Sequence, residues 1–208
     1  MKKKIALLSL FIITNILQAQ KVSYGIILGI QGYGSIENTS VYHFDADKSF
    51  IPNYGGYLEY GFNNNIGVKA EVNFNTKNII YTPLLYNPNE IGYPYTLNII
   101  EFCPSVKFDF GKEYQKGFYM LLGPKFSFIT KSKNDKGNDA DDIFETKNKG
   151  IQLGLGTRIG KFIDFETKLD YEITPFFKVP NTDRKSNFAG VYILFNLDLE
   201  SIINIKKS

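Results

Sequence analysis

Residues Lys149 to Pro175 read KGIQLGLGTRIGKFIDFETKLDYEITP, and each half alternates with a period of two around a turn at Gly160, Lys161 and Phe162. Side chains on an extended strand point to opposite faces in turn. In the first half Ile151, Leu153, Leu155, Thr157 and Ile159 share one face, and Gln152, Gly154, Gly156 and Arg158 share the other. In the second half Ile163, Phe165, Thr167, Leu169, Tyr171 and Ile173 oppose Asp164, Glu166, Lys168, Asp170 and Glu172. The stretch is a hairpin with an oily face and an ionic one. Strands of about 10 residues with a charge at nearly every polar-face position fit a barrel with lipid outside and a polar lumen inside.

The rest of the chain repeats that pattern. Eight extended segments are expected: Lys21 to Tyr33, Pro52 to Phe62, Ile66 to Asn78, Tyr95 to Phe110, Gly117 to Thr130, the two halves of the hairpin, and Phe188 to Leu199. The third is the cleanest, with Ile66, Val68, Ala70, Val72 and Phe74 opposing Lys69, Glu71, Asn73 and Asn75. Asn63, Asn64 and Asn65 form a tight turn before it, since Asn tolerates left-handed backbone angles. Leu97 to Ile100 breaks the alternation of the fourth segment and predicts a bulge. Pro104, which has no N–H to donate, predicts a local break in the ladder. Connections after segments one, three, five and seven are long (Gly34 to Ile51, Ile79 to Pro94, Lys131 to Asn148, Phe176 to Asn187), and the others are short. All long loops therefore gather at one rim, expected to be extracellular, and both termini at the periplasmic rim. The expected fold is an all-β, eight-stranded antiparallel up-and-down transmembrane β-barrel.

Met1 to Gln20 carries Lys2, Lys3 and Lys4, an apolar run from Ile5 to Leu17, and Ala19 before an expected cut at Gln20, the three parts of an export signal. The run is shorter than the roughly 20 residues a spanning helix needs. The domain expectation is a signal peptide over 1–19 and a barrel over 20–208. Of 24 basic residues the signal takes three, which leaves 21 against 21 acidic ones. That neutral balance, with no basic run, gives no electrostatic footprint for nucleic acid, and no nucleic-acid partner is expected. Cys103 is the single cysteine and reads as a small apolar filler. Trp is absent while Tyr numbers 14 and Phe 18, so Tyr takes the interfacial belt.

The signal ending in Gln18-Ala19-Gln20, the phrase Ile100-Glu101-Phe102-Cys103-Pro104, the run Tyr119-Met120-Leu121-Leu122-Gly123-Pro124, and Leu169-Asp170-Tyr171 together resemble the PorT-like outer membrane protein β-barrel family of Bacteroidota. In shape that family is similar to the small OmpA and OmpX type barrels. The resemblance implies a cell outer membrane location, outer-membrane lipid as surroundings, the barrel-assembly machinery as a partner in biogenesis, and no catalytic residues. It also permits a role in a secretion apparatus. Many such barrels end on an aromatic residue of the last strand, whereas this chain continues through Ser201 to Ser208, so the assembly signal is expected around Tyr192 to Leu199.

The candidate constellations are modest. His43, the only His, sits beside Asp45 and Asp47 without a Gly-x-Ser-x-Gly elbow, and a loop His beside acids is usually solvated. No enzyme is expected, and no catalytic, cofactor or metal residues are assigned. The inward charges Glu59, Lys69, Glu71, Lys107, Asp109, Lys125, Arg158, Glu166, Lys168 and Asp170 read as a paired plug, since an eight-stranded barrel is only wide enough for side chains to fill it. Lys69 with Glu71, and Arg158 with Glu166, are expected to pair. Asn134 to Asp142 (NDKGNDADD) has enough carboxylates for calcium but lacks EF-hand spacing. The second loop, with Tyr81, Tyr86, Tyr93 and Tyr95 among Pro83, Pro88 and Pro94, is a candidate surface for a protein partner. The function expected is a non-enzymatic barrel acting structurally or as a loop-mediated adhesion or assembly partner. The alternatives are a small-solute pore and an exported soluble barrel that binds a hydrophobic ligand.

Overall fold

The computed structural model describes residues 21–35, 42–46, 50–83, 92–140, 143–176 and 187–205. The expected signal lies outside them. Among the described residues nine strands form: β1 (Lys21–Ser35), β2 (Tyr42–Ala46), β3 (Ile51–Gly61), β4 (Ile66–Pro83), β5 (Tyr93–Asp109), β6 (Phe118–Asn134), β7 (Lys147–Ile159), β8 (Ile163–Glu172) and β9 (Phe188–Asp198). All except β2 close into one antiparallel barrel, with each strand beside its chain neighbour and β1 paired to β9. Partners followed once around from Lys21, through Gly61, Gly67, Lys107, Leu121, Gly154, Lys168 and Tyr192, return to β1 at Gln31, ten residues further on. That stagger tilts the strands and leaves an interior just wide enough for side chains.

The expected faces are the observed ones. Val22, Leu28, Leu58, Leu122, Ile151, Leu155, Leu169 and Val191 lie on the outside, while Ser23, Glu59, Lys69, Gln152 and Glu166 are buried inside. The apolar surface is external, which overturns the soluble ligand-binding barrel, whose oily face would have to point inward. Inside the described residues no helix is long and apolar enough to cross a membrane.

The bulge falls at the expected level, but its extra residue belongs to the neighbouring strand. Asn98 pairs with Lys131 and Ile99 with Ile129, so Thr130 of β6 has no partner, and Thr130 and Lys131 both point outward. Within β5 the in–out rhythm is intact. Leu97 and Ile99 broke the sequence pattern because they are apolar residues facing inward.

The ladder break at Pro104 occurs on one side only. Pro104 remains in register with Ala70 of β4. Toward β6 the pairing stops after Phe102–Phe126 and resumes at Val106–Leu122, and the same register sets Pro104 opposite Pro124. Two imino residues face each other, so neither strand can donate there.

Several element boundaries differ from expectation. Strands at the long-connection rim outrun the expected ends: β4 continues to Pro83, β5 begins at Tyr93, and β6 continues to Asn134. Part of the first long connection is itself the strand β2, paired with the upper end of β4 from Tyr42–Pro83 to Ala46–Ile79. Leu199 is not the end of the last strand but the first residue of a helix, α1 (Leu199–Ile205). Asp198 caps it, its Oδ1 accepting the Ser201 amide at 3.1 Å and its Oδ2 the Ser201 hydroxyl at 2.8 Å.

Candidate functional site: the filled lumen

Inward positions of the eight barrel strands converge on the axis, and their chemistry changes along it. At the short-turn end the connection between β5 and β6 folds back into the mouth. Gln115, held at φ 62°, gives its backbone amide to Asp109 Oδ2 at 2.8 Å and its side-chain amide to Glu59 Oε1 at 3.0 Å. Tyr114 beside it is buried against Gly61 and Gly67, where any side chain would collide with its ring. Burial pushes the Tyr114 phenol pKa up, and the Glu59 carboxylate adds to the shift. Lys107 pairs with Glu59 at 2.7 Å, and its ammonium lies over the rings of Tyr119 and Tyr114, 4.0 and 5.1 Å from their centroids.

Arg158 closes the same end. It binds Asp164 at 2.5 Å, Asp198 at 3.0 Å and the Lys161 carbonyl at 3.1 Å, so one guanidinium ties β7, the turn, β8 and β9 together. Its expected pairing with Glu166 is not made, because Arg158 faces inward near the turn and reaches the cross-strand Asp164 instead.

At mid-height two lysines and two glutamates alternate in a closed ring. Lys69 pairs with Glu71 at 2.8 Å and Glu166 at 2.7 Å; Lys168 pairs with Glu166 at 2.9 Å and closes on Glu71. The Lys69–Glu71 pairing is the expected one. Glu166 also accepts the Tyr119 hydroxyl at 2.9 Å and the Asn196 amide at 3.1 Å. All four ring side chains are buried, which is tolerable because each charge touches two of opposite sign.

Above the ring Lys125 pairs with Glu101 (2.9 Å), Glu172 (3.1 Å) and Asp170, and donates to the Tyr192 hydroxyl at 2.9 Å. Higher still the lumen turns apolar. Ile79, Leu97, Ile99, Ile129 and Phe188 meet Ala140, Phe144 and Phe176 from the connections, and Tyr81 and Tyr95 pack against them. All of the expected inward charges are thus buried except Arg158, which is half-buried at the short-turn end, whereas Tyr114, Gln115, Phe144 and Phe176 were invisible as plug residues. They lie in connections, where no periodicity says which way a side chain turns.

The remaining candidates are dispersed. His43 and Asp45 sit on β2 opposite Thr82 and Ile80, and Asp47 is outside the described residues. In the calcium candidate, Asn134 Oδ1 accepts the amides of Lys136 (3.1 Å) and Asn138 (2.9 Å), so that oxygen is spent on the turn. Asp141 and Asp142 lie outside the described residues, and among those described no three His, Cys, Asp or Glu are grouped to hold a metal. In the second loop Tyr81 and Tyr95 join the apolar cap, Tyr93 is exposed, and Tyr86 and Pro88 are outside the described residues.

An external apolar belt around a closed eight-stranded wall is the form of an outer-membrane barrel, and residues 18–178 match the model of the outer membrane protein beta-barrel domain. The chain belongs to that family. It is a barrel of the cell outer membrane. Among solved structures it is similar to Ail, the attachment invasion locus protein of Yersinia pestis, crystallised with the heparin analogue sucrose octasulfate. That match has 12% identity, covers 86% of this chain and 99% of Ail, and has a TM-score of 0.51. Neisserial surface protein A (12% identity, 86% and 99% covered, TM-score 0.48) and OprG of Pseudomonas aeruginosa (10%, 85% and 91%, 0.43) are also similar. No curated protein matches the chain. At such identity the likeness to Ail shows a shared fold.

Proposed function

We propose that this barrel is a closed, non-enzymatic scaffold that holds an extracellular rim for a protein partner, in adhesion or in assembly of a surface apparatus. The carrying observation is the obstruction of the axis at two heights, by the Lys69–Glu71–Lys168–Glu166 ring and by the apolar cap. A solute would have to break four buried ion pairs and displace Phe144 and Phe176. The buried carboxylates are occupied by lysine, arginine, tyrosine and amide donors rather than aimed at a cleft, which supports a non-enzymatic reading. The rim with the long connections is taken as extracellular. There β2 pairs along the upper end of β4, beside the long upper ends of β5 and β6, and together they offer a surface to a partner.

A PorT-like, secretion-linked role is the finer form of this reading. It rests on the sequence phrases quoted above. Assembly of the barrel would use β9 itself as the signal, because α1 follows it directly. The test has two arms. Purified protein in a planar bilayer should give no reproducible channels, and stable conductance would return the reading to a solute pore. Crosslinking in the native membrane should capture a protein through the rim strands, and capture lost on altering the rim while the barrel stays folded would support the scaffold.

A further inference from the structure

We propose that the outer face of β6 and β7, at the upper edge of the apolar belt, is a docking site for a phosphorylated, sugar-bearing lipid headgroup. The site rests on the rim orientation proposed above. On β7 the outward residues run Ile159, Thr157, Leu155, Leu153 and Ile151, and then change to Lys149 and Lys147. On β6 they run through Phe126 and Phe128 to the bulge, where Thr130 and Lys131 both emerge. Lys147 is the cross-strand partner of Phe128, and Lys149 of Phe126. Three exposed ammoniums therefore stand where the hydrocarbon ends. Their stems can lie along the aromatic belt while their charges rise to headgroup level.

Two features make this more than lysines escaping the bilayer. Lys131, Lys147 and Lys149 make no ion pair among the described residues, although every lysine of the lumen does. Over 130–150 the described residues carry five lysines (Lys131, Lys133, Lys136, Lys147 and Lys149) against three acids (Asp135, Asp139 and Glu145), so the described patch is net positive. The neutral groups beside it suit a sugar. Thr130 donates to the Asn98 carbonyl at 3.1 Å, Thr76 to the Asn98 side chain at 3.1 Å, and Thr96 to Asn78 at 3.0 Å. These exposed hydroxyls and carboxamides continue the same edge across β5 and β4, each with further hydrogen-bonding capacity. Basic residues for phosphate beside amides and hydroxyls for sugar, both at the belt's edge, match a phosphorylated glycolipid in the same leaflet. The position favours a lipid over a soluble anion, since the alkyl chains of a lipid would also cover Phe126, Phe128 and Ile151.

The experiment uses the full barrel in phosphatidylcholine nanodiscs carrying a bisphosphorylated glucosamine disaccharide lipid, the same lipid without its phosphates, or no glycolipid. Retention through detergent washing is read by native mass spectrometry. Wild type should hold the phosphorylated lipid, and Lys131→Gln/Lys147→Gln/Lys149→Gln should reduce retention on the order of tenfold to a hundredfold. The triple variant at the other rim, Lys112→Gln/Lys116→Gln/Lys161→Gln, should retain it as wild type does. The heat-modifiable gel shift verifies that both variants are folded. Equal retention by wild type and the first triple variant would overturn the site. So would equal retention of the dephosphorylated lipid, or full competition by inositol hexakisphosphate, which would assign the patch to soluble polyanions. Nanodiscs expose both rims, so failure here is independent of orientation, which protease accessibility on cells tests separately.

Discussion

Replacing Glu166 by Gln tests the lumen plug most directly. Glu166 contacts Lys69 at 2.7 Å and Lys168 at 2.9 Å, with Tyr119 and Asn196 completing its shell. At an effective dielectric of about 20, each ammonium contact carries roughly 6 kcal/mol of gross attraction. Recovered hydration of the ions in the unfolded state offsets most of it. What remains is the penalty for a surplus positive charge, since two lysines would then share only Glu71. A broken buried pair typically costs about 3–5 kcal/mol. Glu166→Gln should lose that much in urea unfolding from lipid vesicles, followed by the heat-modifiable gel shift. Glu166→Gln/Lys168→Met restores neutrality and should recover at least about half of the loss, a coupling only groups in contact show. If Glu166→Gln unfolds within about 1 kcal/mol of wild type, the ring is hydrated and the plug argument fails.

Other consequences are as sharp. Leu155→Arg should cost roughly 2–4 kcal/mol, because its side chain faces lipid, whereas Gln152→Glu, facing the lumen beside Ser105, should cost much less; the reverse order in the same unfolding assay would turn the strand inside out. Gly156→Ala should overpack by about 1–3 kcal/mol, since the added carbon would lie 2.3 Å from the Tyr119 ring, and Tyr119→Leu should relieve it. Trypsin added to intact cells should cut at Lys136, in the exposed turn above β6, while a protease cleaving after asparagine should spare Asn63 to Asn65. Cutting only at the asparagines would invert the topology.

Strand periodicity carried much of this in the sequence alone. Because alternate residues must face opposite ways, the oily and ionic faces of the Lys149 to Pro175 hairpin were legible without any partner, and so was the burial of Glu166, Lys168 and Asp170. The ladder break at Pro104 followed from its missing N–H. The turns at Asn63 and Gly160 were local chemistry too: Gly160 adopts φ 72°, while the asparagine turn needs no left-handed residue, because Asn63 Oδ1 accepts the Asn65 and Ile66 amides at 2.8 Å. What only the tertiary structure decided is which inward charge meets which. Lys69 and Glu166 stand 97 residues apart, and their contact exists only once the wall has closed with its ten-residue stagger. Arg158 had two inward acids within reach along β8, and cross-strand geometry gave it Asp164. Tyr114 and Gln115 in the lumen, Phe144 and Phe176 over it, and the turn from β9 into α1 lie where the chain has no regular period. There the direction of a side chain is set by the space other strands leave, and a linear sequence does not contain that space.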